Sequence, residues 1–379
     1  MKKKLGELCQ VVSGTTPKTG IPEYWGGSAK WITPAELDDD SYIVEDSARK
    51  ITELGIRKTG LSPFPAGTVL LTSRAPIGKV AIAGCEMYCN QGFKNLVCSE
   101  RIHNKFLYWF LKSKTAYLNS LGRGATFKEI SKAIVEQIEI EVPSLEKQKA
   151  VAMVLETIRH ILLLRRAQLA ALDELVKARF VEMFGDPVGN PMGWPTKPLG
   201  ALGELERGRS KHRPRNDPKL LGGPYPLIQT GEVASAGLYL TTFQNTYSEL
   251  GLQQSRMWKA GTLCITIAAN IAQTAILGFD ACFPDSVVGF IPGSETDAVF
   301  MHYWFSFFQK ILEEQAPQVA QKNINLKILA ELQVIVPATQ KRAVFSAFVA
   351  RTEKLKATIQ RSLAETQRLF DSQLQEHFG

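Results

Sequence analysis

The sequence predicts two globular domains related by an internal repeat, each followed by a long helix, with the two helices pairing as an antiparallel coiled coil. Two observations lead to this fold class. Segments of the first half return in the second half at one constant shift, and each half ends in a helical pattern without proline or glycine. The proportions of hydrophobic (45%) and charged (22%) residues are ordinary, which indicates folded domains rather than a disordered or fibrous chain.

The repeat relates segments that lie 194 residues apart in the chain. Several short segments match at this same shift, which argues against chance similarity. The matching pairs are residues 5–8 with 199–202, 66–70 with 260–264, and 138–143 with 332–337. The last pair is an alternating apolar strand closed by proline, so each globular domain is expected to end there.

The repeat divides the chain into four predicted segments. A globular domain over residues 1–145 precedes a central helix over 146–185, and a second domain over 186–339 precedes a C-terminal helix over 340–379. A helix of about 38 residues is about 57 Å long at 1.5 Å per residue. Such a length favours a spacer between domains over an element of a compact core.

Apolar residues recur at heptad or near-heptad spacing along both helices, as in the seam of a coiled coil. The seam residues predicted from this spacing are Leu155, Ile158, Leu162, Leu169, Leu172, Val176, Phe348, Leu355, Ile359 and Leu363. The core of an ordinary helical hairpin is the alternative interpretation of this stripe. The repeat favours pairing of the two helices, because two copies of one module form a pseudo-twofold particle.

A net charge of +8 favours a polyanionic partner. Two equivalent loops carry candidate contacts. The first contains Thr15, Thr16 and Lys18, and the second is an alternating basic run of Arg207, Arg209, Lys211, Arg213 and Arg215. An extended backbone would place all five cations of the run on one side, which fits a row of DNA phosphates. A solvated basic loop is the alternative.

Other polar residues could reach base edges or phosphates from neighbouring loops. The candidates in the first domain are Arg74, Asn90, Gln91, Lys94 and Lys128, with Ser73 and Lys79 beside them; those in the second are Asn270, Gln273 and Lys322, with Gln229 and Thr230. Each could instead cap a turn or pair with a carboxylate. The six tryptophans are expected to be packing anchors rather than platforms for base stacking.

Catalytic and metal-binding patterns are missing from the sequence. The six cysteines are expected to be reduced thiols, and Cys85, Cys89 and Cys98 lack the histidine or second pair that a zinc site needs. A phosphate-binding GxxxxGK[ST] loop and an adenine methyltransferase tetrapeptide are both absent. The five histidines are dispersed, so no catalytic, cofactor or metal residues are predicted.

Several segments resemble the specificity (S) subunits of type I restriction-modification enzymes. Residues 13–17, 23–27 and 31–37 look like the opening of a target-recognition domain of that family, and residues 90–96 follow it. The most specific segment, residues 124–149, leads as in the family into the long helix. The resemblance covers nearly the whole chain.

The resemblance implies that each globular domain is an α/β (α+β) target-recognition domain reading one half of a bipartite site in double-stranded DNA, with helix length setting the spacer. It implies two methyltransferase (M) subunits and further restriction (R) subunits as partners. S-adenosylmethionine, ATP and magnesium are then expected only on those partners. The cytoplasm is the expected location, since the sequence contains no apolar run of a signal peptide or membrane span.

Two alternatives to a non-catalytic specificity subunit stay open at this point. One is a non-catalytic scaffold that binds nucleic acid without reading its sequence. The other is a self-contained DNA-modifying enzyme whose motifs are unrecognised.

Overall fold

The structure is a computed structural model that describes residues 2–124, 128–212, 214–268, 271–315 and 324–379, with the backbone alone over 310–315. It contains two compact units. Unit 1 comprises Met1–Arg166 with Arg361–Gly379, and unit 2 comprises Ala167–Gln360. Each unit therefore contains one globular domain and a part of each of two long helices.

Unit 1 is built from short strands and helices. Its strands are β1 (Lys2–Lys4), β2 (Cys9–Ser13), β3 (Trp25–Ile32), β4 (Ile43–Val44), β5 (Arg49–Ile51), β6 (Val69–Leu71), β7 (Val80–Ala83), β8 (Tyr88–Cys89), β9 (Lys94–Cys98) and β10 (Glu139–Glu141). Its helices are α1 (Leu5–Leu8), α2 (Glu53–Thr59), α3 (Asn104–Ser113), α4 (Thr115–Leu121), α5 (Lys132–Gln137) and the first part of α6 (Leu145–Phe184).

The strands of unit 1 form a mixed sheet in the order β2-β9-β6-β7-β4, a smaller sheet in the order β5-β3-β8, and the antiparallel pair β1-β10. In the large sheet β4 pairs with β7 in parallel and the other neighbours are antiparallel. All four residues of β7 are buried, because both faces of this sheet are covered. Val80 and Ile82 pack in the core that contains α3, and Ala81 and Ala83 pack in a second cluster with Ile32 of β3 and Cys89 of β8.

Unit 2 repeats this set of elements. Its strands are β11 (Thr196–Pro198), β12 (Gly203–Arg207), β13 (Leu221–Leu227), β14 (Tyr239–Leu240), β15 (Asn245–Tyr247), β16 (Met257–Trp258), β17 (Leu263–Thr266), β18 (Thr274–Leu277), β19 (Ala281–Cys282), β20 (Val287–Pro292) and β21 (Gln333–Ile335). Its helices are α7 (Thr230–Ser235), α8 (Glu249–Gln253), α9 (Ala298–Gln315), α10 (Leu326–Glu331) and α11 (Thr339–Phe378), together with the second part of α6.

The large sheet of unit 2 has the same strand order as the large sheet of unit 1, and the smaller sheet has one strand more. The large sheet has the order β12-β20-β17-β18-β14, the smaller one β15-β13-β19-β16, and β11 pairs with β21. Strand for strand, the large sheet is the counterpart of β2-β9-β6-β7-β4, and α9 covers it as α3 covers the first. The prediction of two repeated α+β domains is confirmed.

The two long helices also obey the shift of 194 residues at both ends, since Leu145 and Phe184 become Thr339 and Phe378. Each contains 40 residues, or about 60 Å at 1.5 Å per residue. The last residue of each packs into a core. Phe378 contacts Phe106 of α3 in unit 1, with ring centroids 5.1 Å apart.

In unit 2 the equivalent contact joins Phe184 to Phe300 of α9, with centroids 5.2 Å apart. Phe345 of α11 also contacts Phe184, at 5.5 Å, while Lys356 of α11 forms an ion pair of 2.7 Å with Asp173 of α6. Residue numbers rise on α11 as they fall on α6 along this contact. The two helices therefore pack antiparallel in unit 2.

The seam residues predicted from heptad spacing divide into three groups by burial. Leu155, Ile158, Leu162 and Val176 are buried, and Leu169, Leu172, Phe348, Ile359 and Leu363 are half-buried. Leu355 is wrong as a seam residue, because its side chain is 56% exposed. The buried stripe of α11 passes through Thr352 and Lys356 instead, and polar residues at those positions are invisible to a search for apolar spacing.

Each long helix is anchored to its domain by one buried polar side chain in its first turns. Gln148, fully buried in α6, accepts from the N–H of His103 (2.8 Å) and donates to the carbonyls of Pro143 (2.9 Å) and Arg101 (3.2 Å). Because these hydrogen bonds reach both sides of the junction, Gln148 fixes the direction in which the helix leaves the domain.

The equivalent residue of α11 is Arg342, which is 3% exposed. It donates to the carbonyl of Pro337 (3.2 Å), the hydroxyl of Thr339 (3.1 Å) and the carboxylate of Asp297 (3.4 Å). Pro337 and Asp297 occupy the positions of Pro143 and His103. The junction is thus repeated with different chemistry.

Four tryptophans are core residues, as expected: Trp31, Trp109, Trp258 and Trp304 are each at most 2% exposed. Trp25 and Trp194 are half-buried. Among the helices that the structure describes, none is both long and apolar enough to cross a membrane.

Candidate nucleic-acid interface

The basic run of unit 2 begins at the end of β12 as an extended segment. Gly208 and Ser210 are buried and Arg207, Arg209 and Lys211 are exposed, so the alternation expected from the sequence is present over residues 207–211. The main chain is held against the domain by Gly208 N–H to Val287 O (2.9 Å) and Arg209 N–H to Phe283 O (3.1 Å). Three cations are therefore displayed on one side.

Gly208 is required by this close approach. A Cβ atom at position 208 would lie 2.3 Å from the carbonyl oxygen of Phe283, far inside van der Waals contact. Gly14 has the same role in unit 1, where a Cβ would lie 1.9 Å from the carbonyl oxygen of Cys89. The loops are equivalent in backbone as well as in sequence position.

Two cations of the run are neutralised within the protein. Arg209 forms an ion pair with Glu206 (2.6 Å), and Arg215 forms one with Asp285 (2.5 Å). The hydrogen bond from Arg209 lowers the pKa of the Glu206 carboxyl. Among the residues that the structure describes, Arg207 and Lys211 have no ion-pair partner and are the cations of the run available to an external anion. Arg213 lies outside the described residues.

Beside this run, unit 2 contains a cleft of about 400 Å³, here called the polar cleft. Its lining comprises Ser210, Arg215, Asn216, Leu221, Leu227, Gln229, Thr230, Asn245, Tyr247, Pro284 and Ser286. The main chain of Gln229 is committed to the protein, because its N–H donates to the carboxylate of Glu232 (2.8 Å) at the start of α7. The polar cleft and the basic run share Ser210 and Arg215, so they form one continuous surface of unit 2.

In unit 1 the equivalent loop carries hydroxyl groups in place of arginines. Thr15 N–H donates to Cys89 O at 3.1 Å, as Arg209 does to Phe283 O. The Thr16 hydroxyl donates to the side-chain oxygen of Gln91, which brings these two predicted site residues together. Lys18 is exposed. This loop offers hydrogen-bonding groups with one cation.

Two predicted contacts of unit 1 have structural roles. Asn90 accepts from the N–H of Gly92 (2.9 Å), which is the turn-capping role that its residue type allows. Lys94 is 7% exposed and its ammonium bonds the carboxylate of Glu129 (3.0 Å) and the hydroxyl of Ser73 (3.3 Å). Lys94 is therefore not free to contact DNA, and the prediction for it is wrong.

Arg74 and Lys128 meet at a cavity of about 560 Å³ in unit 1. Ala75, Pro76, Ile77, Asn119 and Glu129 complete its lining. Within the described part of the chain neither Arg74 nor Lys128 has an ion-pair partner. The fold thus brings together two predicted cations that lie 54 positions apart in the sequence.

The positions of the remaining predicted residues do not indicate a binding surface. Gln273 is half-buried, and its main-chain carbonyl accepts a hydrogen bond from the N–H of Thr266 (2.9 Å). Lys79 donates to the carbonyl of Leu37 and is a structural residue. Asn270 and Lys322 lie outside the described residues.

Sequence reasoning missed the polar residues that complete these surfaces. Asn216, Asn245 and Tyr247 line the polar cleft, and Asn119 lines the cavity of unit 1. None lies in a charge run or a glycine-rich motif, so the sequence offered no signal beyond residue type. Among the described residues there is no cluster of three or more histidine, cysteine, aspartate or glutamate side chains that could hold a metal ion.

Comparison with known proteins adds a family match. The family model described as "Type I restriction modification DNA specificity domain" matches residues 1–173 and again residues 191–365. The two matches together cover most of the chain and coincide with the two repeats.

Curated relatives match over shorter stretches. The MjaIX specificity subunit of a type I restriction enzyme from Methanocaldococcus jannaschii is 37% identical over 224 residues, which is 54% of this chain and 52% of that protein. The HindI specificity subunit from Haemophilus influenzae is 26% identical over 38% of this chain and 32% of that protein. The chain spans about half the length, or less, of the curated relatives it matches.

Two solved structures share the fold over the whole chain. One, from work on complex assembly and conformational transition of the type I R-M system, has a TM-score of 0.62 at 18% identity and covers 100% of this chain and 97% of its own. The other is the crystal structure of a type I restriction-modification S subunit from M. genitalium, with a TM-score of 0.61 at 15% identity, covering 100% and 96%.

Proposed function

This chain belongs to the family of type I restriction-modification DNA specificity domains, and we propose that it is the DNA-recognition subunit of a type I restriction-modification enzyme. The observation that carries the proposal is the repeat. Two units of one topology hold equivalent loops with the same main-chain hydrogen bonds, and those loops display different side chains. A protein that reads two different half-sites needs this combination.

Each unit is proposed to read one half of a bipartite site in double-stranded DNA. Phosphate contacts position a DNA-binding protein and carry no sequence information, whereas hydrogen bonds to base edges determine which sequence is bound. We assign the positioning role to Arg207 and Lys211 in unit 2 and to Arg74 and Lys128 in unit 1. The hydroxyl and amide groups beside them are the candidates for base reading, and the lengths of α6 and α11 set the unread spacer.

The methyltransferase subunits are proposed to dock on the outer face of the long helices. In the first part of α6 this face exposes a stripe of Met153 (64%), Val154 (45%), Ile161 (38%) and Leu164 (51%). Contiguous exposed apolar side chains on one helix face indicate a protein interface. Leu355 of α11 occupies the position equivalent to Ile161 and is likewise exposed, so we assign this face of α11 to a second methyltransferase subunit.

In this proposal the chain itself is not catalytic. Methyl transfer with S-adenosylmethionine, and ATP- and magnesium-dependent translocation and cleavage, belong to the methyltransferase and restriction subunits. The complex would act in the cytoplasm, where it meets its DNA.

The test is co-expression of the chain with a methyltransferase subunit of the same host, followed by sequencing of modified adenines in host DNA. We expect modification at a split motif with a fixed spacer, and none when the chain is deleted. Modification that is indifferent to the chain, with an active methyltransferase present, would favour a nucleic-acid scaffold. Modification by the purified chain alone would favour a self-contained enzyme.

Docking is tested by placing a carboxylate in the stripe. Ile161→Glu and Leu164→Glu are expected to weaken methyltransferase binding at least tenfold, because association would bury the new charge. Ala170→Glu is the matched control, since this exposed residue lies on another face of the same helix. Equal binding by all three variants would remove the stripe from the interface.

A further inference from the structure

The polar cleft of unit 2 concentrates hydrogen-bonding side chains that the protein itself leaves unused. Within the part of the chain that the structure describes, the side chains of Asn216, Thr230, Asn245, Tyr247 and Ser286 have no hydrogen-bond partner, yet all of them line this one cleft. Tyr247 is only 2% exposed. The other four side chains are half-buried or exposed and can be reached from solvent, and several polar groups that converge on one cleft are the usual lining of a ligand site.

We propose that this cleft takes a single nucleobase extruded from the DNA that unit 2 binds, an inference that rests on the proposed function. The shape of the site is the first argument. Base edges in an intact duplex lie at the floor of a groove, so the groups that read them must protrude from the protein. Side chains that line a recess are reached by something that itself protrudes, and an extruded base does.

The volume is large enough for one nucleobase. A cavity of about 400 Å³ is at the small end of the range for sites that enclose small molecules. Leu221, Leu227 and the ring of Tyr247 provide apolar surface against which the faces of a base can pack. The amides and hydroxyls provide donors and acceptors for its edge.

The distribution of charge gives the base and its phosphates different binding places. In the described lining, Arg215 is the cationic residue and its charge is already paired with Asp285, so the interior suits a neutral group. The available cations, Arg207 and Lys211, lie on the extended segment that contributes Ser210 to the lining. A nucleotide can thus place its base in the cleft while its flanking phosphates contact this segment.

Asn245 is the residue on which the assignment can be tested most cleanly. It lies at the start of β15, half-buried, and its amide offers a donor and an acceptor to a base edge. Asn245→Leu keeps the approximate size of the side chain and removes both groups. Gln244→Leu is the matched control, because Gln244 is the preceding residue and its exposed side chain lies outside the lining. Thr230→Val is a second cleft variant.

The experiment uses the full chain without a methyltransferase, since such enzymes extrude their own target base. In a duplex containing the target motif, each purine of the half-site read by unit 2 is replaced in turn by 2-aminopurine, and each thymine is probed with permanganate. We expect one position to gain fluorescence or reactivity on binding. That gain should be lost in Asn245→Leu and Thr230→Val and kept in Gln244→Leu.

A mismatch opposite that position should tighten binding about tenfold, because the cost of unpairing is already met. Specific binding of the duplex with no responsive position would overturn the inference and leave the proposed function standing. Binding of free nucleoside monophosphates to the cleft, with every base of the duplex stacked, would also overturn it. No preference for the target duplex over other sequences would overturn both.

Discussion

Thr15 of unit 1 and Arg209 of unit 2 make the same main-chain hydrogen bond, each 3.1 Å long, to Cys89 O and Phe283 O. In both units a glycine precedes the donor and lets the loop approach the domain. The side chains then diverge, with hydroxyls in unit 1 and guanidinium groups in unit 2. One scaffold can therefore present two different recognition surfaces, because the backbone that positions each loop does not depend on its exposed residues.

The junctions between domain and long helix show the same principle in the protein interior. Gln148 and Arg342 occupy equivalent positions and bond the equivalent carbonyls of Pro143 and Pro337. In unit 1 the side-chain oxygen of Gln148 also accepts a hydrogen bond from the main-chain N–H of His103. In unit 2 the guanidinium of Arg342 also donates to the carboxylate of Asp297. The geometry is kept while a neutral contact replaces an ionic one.

This difference between junctions predicts unequal costs of removal. Arg342→Met should destabilise the protein by about 3 kcal/mol, since it leaves Asp297 without its cation in a largely sheltered site. Gln148→Leu should cost about 2 kcal/mol, the penalty for unpaired neutral groups. Urea unfolding measures both. Equal losses would show that the charge of Arg342 adds nothing, and Arg342→Gln combined with Asp297→His, which copies unit 1, should restore part of the loss.

A second difference concerns acid stability. Burial of His302 in α9 lowers its pKa to about 4, and the Thr274 hydroxyl lies 3.0 Å from its Nδ1. The unfolded chain binds this proton near pH 6.5, so unit 2 should lose about 3 kcal/mol of stability as the pH falls from 6.5 to 4. The equivalent residue of unit 1 is Tyr108, whose pKa is raised to about 12 by burial, and it does not titrate there.

Hydrogen exchange of α9 and α3 at pH 7 and pH 4.5 compares the two units directly. Protection of α9 should fall more, and His302→Gln should reduce that fall. A fall of the same size in α3 would mean that acid lability does not originate at His302.

Lys94 and Lys128 sharpen the comparison within unit 1. Lys94→Met should destabilise the protein by about 1–3 kcal/mol, because it leaves Glu129 unpaired, while folded protein keeps its DNA affinity. Lys128→Met should change stability by less than about 0.5 kcal/mol and weaken DNA binding. Thermal unfolding and a binding titration separate the two roles, and the reverse pattern would refute the assignment of Lys94 as structural.

The smallest expected effect separates free from paired cations in unit 2. Replacing Arg207 and Lys211 together by Gln should lower the slope of log K against log salt by about 2, since each lost phosphate contact removes about 0.9. Replacing Arg209 and Arg215, whose charges are paired with Glu206 and Asp285, should lower it less. Identical slopes for the two double variants would show that pairing within the protein does not decide which cations contact DNA.

The sequence predicted the repeat, the two α+β domains and both long helices, because repeated segments and apolar periodicity can be recognised from the order of the residues alone. It did not predict which polar residues are consumed by the fold. Lys94 is removed from the surface by Glu129, a partner 35 positions away. Leu355 follows the apolar spacing yet lies outside the seam, because Thr352 and Lys356 occupy the buried stripe. Long-range pairing of this kind becomes visible only in three dimensions.

The central claim, that each unit reads its own half of a bipartite site, is tested most directly by exchanging one domain. Residues 1–145 are replaced by the corresponding domain of a relative with a different target, and modified adenines are sequenced in cells containing the methyltransferase. The account predicts a hybrid motif in which one half changes while the other half and the spacer are retained. A motif that stays unchanged, or changes in both halves at once, would contradict it.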